Sequence, residues 1–155
     1  MGLFGRSRPQ SNAPRIEQYA QTVEAILANL GIDPAQARMS MTDGFGWSFR
    51  RGSALIEIYV TQKDNIGYLQ VLSPILHLPM TGLLPLYRRL LELNLQLTEA
   101  GIGVYLDAVF IFIERPLEGM DAAEADQIIN NVAAYADELD DKLVSEFGGR
   151  LYGRI

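Results

Sequence analysis

Over positions 45–73 the chain carries three successive strand-like runs, the first two with a period of two, and this block limits the possible folds more than any other feature. Phe45, Trp47 and Phe49 alternate with Gly46, Ser48 and Arg50. Ala54, Ile56, Ile58 and Val60 then share one parity, with Leu55, Glu57, Tyr59 and Thr61 on the other. A third run occupies 66–73 and is expected to end at Pro74. A period of two is that of a strand whose faces see different surroundings. The links Arg51-Gly52-Ser53 and Lys63-Asp64-Asn65 are far shorter than the crossover that parallel neighbours need, so the three strands must form an antiparallel meander. Gly and Asn also tolerate the backbone that tight hairpins demand.

Helical periodicity flanks this block. Ile16, Tyr19, Val23, Ile26, Leu27 and Leu30 recur at steps of three and four up to Gly31, predicting a first helix over about 15–30. A second helix is expected over 83–94, with Pro85 accommodated in its first turn. Its residues Leu83, Leu84, Leu86, Tyr87, Leu90, Leu91 and Leu93 occupy more than one face, so the sheet alone cannot cover them. Ile102, Val104 and Leu106 then alternate with Gly103, Tyr105 and Asp107, and Val-Phe-Ile-Phe-Ile at 109–113 is apolar on both faces. Asp107-Ala108 lacks glycine, so these runs read either as a hairpin or as one long strand. Asp121, with Glu124 three residues on, has the pattern of a capping box opening a last long helix whose stripe runs through Ile128, Val132, Tyr135, Leu139 and Leu143.

Composition removes much chemistry. The 155 residues include no Cys and one His, which excludes disulfides, thiolate metal sites, a cysteine nucleophile and most zinc chemistry. The net charge of −6 argues against a broad nucleic-acid or anionic-membrane footprint. That acidity has an address: residues 117–146 carry nine acids and one base, Lys142. Asp137 and Asp141, one turn apart there, have oxygen chemistry that suits a divalent cation, but a solvated helix face explains them as well. His77 has no partner nucleophile marked by spacing, and Gly101-Ile102-Gly103 and Gly44-Phe45-Gly46 lack the third glycine of a dinucleotide fingerprint. Trp47 and Phe49 have ring faces able to stack on bases, but the charge favours core or partner contact. Arg50-Arg51 and Arg88-Arg89 are basic pairs suited to acids or to a partner carboxylate. No stretch reaches the roughly 18 apolar residues of a membrane helix, and 1–15 lack the apolar run of a signal peptide. A cytoplasmic protein is expected. The domain occupies 16–147, preceded by a flexible basic arm at 1–15 and followed by a flexible tail at 148–155.

Leu91-Glu92-Leu93-Asn94-Leu95, a Gly-containing link, a short strand to Asp107, an apolar strand ending Glu114-Arg115-Pro116-Leu117-Glu118-Gly119-Met120-Asp121, and a long acidic helix resemble the YbjN domain and the related type III secretion chaperones of the CesT (Tir chaperone) kind. The resemblance covers about 16–147 and is strongest over 90–143. It implies a dimer that holds an unfolded client segment without ATP, or, on the YbjN side, a regulator. It places the dimer contact on the second helix and neighbouring strand, at Leu84, Leu91 and Phe112. It lays client segments on sheet faces or edges, with Trp47, Phe49 and Tyr59 as candidates beside Arg88 and Arg89.

The expected fold is α+β, an antiparallel five-stranded sheet with helices in the order α-β-β-β-α-β-β-α. The expected function is non-enzymatic: a homodimeric, chaperone-like or regulatory module that buries an apolar segment of a client protein, with no cofactor or metal. The alternative is a small-molecule or metal-binding domain, including an enzymatic one, with a pocket near the second helix that uses Arg88, Arg89 or His77.

Overall fold

The apolar stripe at the start of the domain buries Ala20, Val23, Ile26 and Leu27 along one side of helix α1 (Ile16–Asn29). A computed structural model describes residues 16–153, so the expected arm at 1–15 lies outside the described residues, as do positions 154 and 155. After α1 come a short helix α2 (Pro34–Ala37) and strands β1 (Arg38–Met39), β2 (Phe45–Arg51), β3 (Ala54–Lys63) and β4 (Ile66–His77). Helix α3 (Leu83–Asn94), strands β5 (Gly101–Tyr105) and β6 (Ala108–Pro116), helix α4 (Ala122–Phe147) and strand β7 (Arg150–Leu151) follow. All strand pairings are antiparallel, in the order β1-β2-β3-β4-β6-β5, with β7 against β4.

The meander is present as its alternation requires. In β3, Ala54, Ile56, Ile58 and Val60 are at most 2% exposed, while every residue between them is partly open. Helices α1 and α4 pack on the buried side, where Ile128, Ile129, Val132, Ala133 and Ala136 of α4 complete the core. The Asp121 carboxylate caps α4 by accepting the Glu124 N–H at 2.8 Å. The Glu124 side chain turns instead to Arg115, which donates to it at 2.7 and 3.0 Å and pins the end of β6 to the start of α4.

Three expectations change and one open alternative resolves. Among the described residues the sheet has seven strands rather than five, and a second short helix precedes it, because β1, β7 and α2 are two to four residues long and carry no periodicity of their own. Strand β4 does not stop at Pro74 but continues to His77 through a register shift between Pro74 and Leu76. A proline without an N–H is tolerated where the ladder is already interrupted. The open alternative at 102–113 resolves as a hairpin, with Tyr105 paired to Ala108 around a turn of Leu106 and Asp107. Leu106 takes the positive φ of 52° that a glycine would normally supply. Finally, residues 148–153 of the expected flexible tail pack against the sheet: Leu151 is 9% exposed and pairs with Leu76.

Candidate functional site

Helix α3 is apolar on two sides and the sheet uses one. Leu86, Leu90 and Leu93 are buried, whereas Leu84, Leu91 and Leu95 stand 80%, 68% and 90% exposed. The end of the helix is stitched to β5 by Asn94, whose carboxamide accepts the Ile102 N–H at 2.6 Å and donates to the Ile102 carbonyl at 3.2 Å. One side chain thereby supplies both bonds that a neighbouring strand would make at this edge. Beside that stitch lies an open concavity of about 470 Å³ lined by Tyr87, Leu90, Leu91, Asn94, Ile102, Gly103 and Val104.

A second concavity, of about 420 Å³, lies on the face of the sheet away from α1 and α4 and is lined by Leu72, Gly103, Val104, Tyr105, Phe110 and Phe112. The two adjoin through Gly103 and Val104. The Phe112 ring lies across the β5 glycines, and a Cβ on Gly103 would stand 3.3 Å from it, so a larger residue there would push the ring aside. On the same face the register sets Leu72 between Phe112 and Glu57, and Gln70 between Glu114 and Tyr59, so polar side chains stand between Tyr59 and the Phe112 concavity. The Tyr59 hydroxyl donates to Glu57 at 3.1 Å, and burial, with the Glu57 charge next, pushes its pKa up to about 12. Glu57 and Glu114 thus put two acidic groups on this face, opposite Leu72 and Gln70.

The residues nominated from sequence fall into different places. Leu84, Leu91 and Phe112 are exposed, with Leu91 and Phe112 lining the two adjoining concavities. Tyr59 is on the open face. Trp47 is not: it is fully buried on the helix-covered side, so it has no surface to offer a partner. Phe49 shares that parity and packs partly buried against the same core. Their alternation was visible, but not which parity the helices cover. Arg88 pairs with Glu92 on its own helix at 2.9 Å. Arg89 reaches toward Glu146 at 3.9 Å in a groove between α3 and α4. His77 lies 3.2 Å from Asp107 and stacks on Tyr152 at 4.8 Å. The three residues of the small-molecule alternative thus have separate partners.

Sequence reasoning missed Leu95, Tyr105, Leu106 and Phe110, which enlarge the apolar surface, and Asn94 as the edge stitch. The run Val-Phe-Ile-Phe-Ile pointed to Phe110; the others lie at element ends, where periodicity is silent. The acidic end of α4 also does more than face solvent. Asp137 accepts the Ser53 N–H at 3.2 Å and buried Asp140 accepts the Ser53 hydroxyl at 2.5 Å, so the pair latches the β2–β3 turn. No group of three or more His, Asp or Glu side chains among the described residues is placed to hold a metal ion.

An antiparallel sheet covered by helices on one face, with an exposed apolar helix and hairpin at one end, defines an α+β fold. The chain belongs to the family of type III secretion and YbjN chaperones: residues 17–154 match the family described as T3SS (YopN, CesT) and YbjN peptide-binding chaperone 1. The resemblance expected from the residues is therefore correct. Among solved structures, a chain of the HopA1-SchA chaperone-effector complex superposes with a TM-score of 0.59 at 9% identity, covering 81% of this chain and 95% of that one. At that identity the likeness establishes the fold. No curated protein matches the sequence. Among the described residues, no helix is long and apolar enough to cross a membrane.

Proposed function

We propose that the protein is a non-enzymatic, homodimeric peptide-binding module, which keeps an apolar segment of a client protein covered. The observation that carries this reading is the exposed apolar surface at this end of the sheet: Leu84 and Leu91 of α3 with Leu95 just beyond it, and two adjoining concavities that run from Leu91 across Val104 to Phe112 on the open face. Monomeric soluble proteins rarely leave such a surface without a partner. Membership of a peptide-binding family and the fold shared with a chaperone-effector complex chain support it.

Two occupants divide the surface. The outer side of α3, through Leu84 and Leu91, takes a second copy of the chain. The open face, through Tyr59, Leu72 and Phe112, takes the client, whose apolar side chains enter the 420 Å³ concavity while Glu57 and Glu114 favour basic flanking residues. Phe112, assigned by resemblance to the dimer contact, lies at the border of the two areas.

Light scattering at micromolar concentration tests the dimer: the wild type is expected at twice the chain mass and Leu91→Asp at the monomer mass, and a monomeric wild type overturns this part. Selection from a random peptide library tests the client site. Apolar segments with basic flanks are expected, with binding lost in Tyr59→Asp and Phe112→Asp; an absence of enrichment, or binding indifferent to both substitutions, sinks it.

A further inference from the structure

We infer that the edge of β4 at residues 75–77 is a second, strand-adding peptide site, which the segment at 149–153 holds closed in cis. This rests on the peptide-binding reading above but on a different surface.

The site exists because β3 and β4 part company. Their pairing ends at Glu57 and Leu72, while β2 and β3 stay paired as far as Arg51 and Ala54. The β2–β3 hairpin therefore bends away from β4. On the other side β6 stays paired with β4 to the end, so the wedge opens on the β3 side. Strand β7 fills it: Leu151 pairs with Leu76, Arg150 pairs with His77, and the Tyr152 N–H donates to the Ile75 carbonyl at 3.2 Å. Leu151 is buried, Tyr152 stacks on His77, and Arg50 reaches from β2 to donate to the Gly153 carbonyl at 3.2 Å.

The contact is built yet short. Gly149 has φ of +86°, and a Cβ there would stand 2.5 Å from the His77 carbonyl oxygen, so only glycine lets the segment approach β4. Gly148, also at positive φ, joins it to α4 as a second pivot. Among the described residues two residue pairs hold the strand, and Ser73, Pro74 and Ile75 lie between the end of β3 pairing and the start of β7 pairing. An extended segment of a partner protein, with a leucine-sized residue where Leu151 stands and a ring where Tyr152 stands, can make the same bonds, lengthen the ladder and displace the cis segment.

The test uses the full chain and a labelled synthetic peptide with the sequence of residues 149–155, read by fluorescence anisotropy. Leu151→Asp, which expels the cis strand, is expected to bind the peptide at least tenfold more tightly than the wild type. A peptide carrying the same Leu→Asp change is expected not to bind. Equal affinities of folded wild type and variant, or no binding by either, overturn the proposal. Should Leu151→Asp fail to fold, Gly149→Val, which blocks the approach to His77, replaces it. If both variants lose cooperative unfolding, the segment is a fixed part of the core and the proposal is equally overturned. Phe112→Asp separates the two readings: it abolishes client capture on the open face while leaving peptide exchange at β4 unchanged.

Discussion

Removing the Ser53 hydroxyl leaves a carboxylate in the interior without a side-chain donor. Asp140 is 1% exposed, and its Oδ2 accepts that hydroxyl at 2.5 Å. Hydrogen bonds to charged groups contribute about 1.5–3 kcal/mol, so Ser53→Ala is expected to lower the unfolding free energy by about that amount. Asp140→Asn, by contrast, keeps an acceptor of similar shape and deletes the charge. Burial chiefly holds the Asp140 carboxyl above its ordinary value of 3.8; the Ser53 and Asp141 hydrogen bonds pull it back, and the Asp141 and Asp137 charges add to the rise. A carboxyl that binds its proton more tightly folded than unfolded stabilises the fold fully below 3.8, and that contribution is lost as pH rises through the folded value. A tenfold difference in proton affinity between the folded and unfolded chain corresponds to about 1.4 kcal/mol. Asp140→Asn is therefore expected to gain on the wild type near neutrality and to lose that advantage as the pH falls toward 3.8. Ser53→Ala is expected to steepen the wild-type decline. Urea unfolding at one protein concentration, from about pH 4 to 8, measures both effects as difference curves, in which other carboxylates cancel. Parallel pH dependences for wild type and Asp140→Asn, or a Ser53→Ala cost under about 0.5 kcal/mol, would refute the reasoning.

Trp47→Ala should cost about 3–5 kcal/mol by denaturant unfolding, the range for emptying a buried aromatic site. A variant that keeps its stability but loses peptide binding would return Trp47 to the partner surface. Asn94→Ala strips the stitch from the β5 edge; a loss of about 1–3 kcal/mol is expected, with faster hydrogen exchange at Ile102, and unchanged exchange there would contradict the assigned role. Asp121→Ala removes the cap of α4 and should lower stability by about 0.5–2 kcal/mol in thermal or urea unfolding. No change would show that the Arg115–Glu124 pair alone fastens this helix end.

The regular elements and the family were legible in the sequence. Helix α3 was predicted over its full observed span, and the alternation of β3 named the residues that are buried. Periodicity reports a repeating contrast between two environments, and these elements are long enough to carry one. The surplus of apolar residues on α3 and on 109–113 was legible too, because counting faces needs no coordinates. What the sequence lacked was the identity of the covered face. Trp47 and Tyr59 both stand in alternating strands, and only the packing of α1 and α4 decides that the first is core and the second open. Tertiary structure alone likewise made β1 and β7 into strands, turned Asn94 into an edge stitch, and set Ser53 against Asp140 across 87 positions. Each of these depends on two segments distant in the chain meeting at one place, whereas sequence periodicity records only near neighbours.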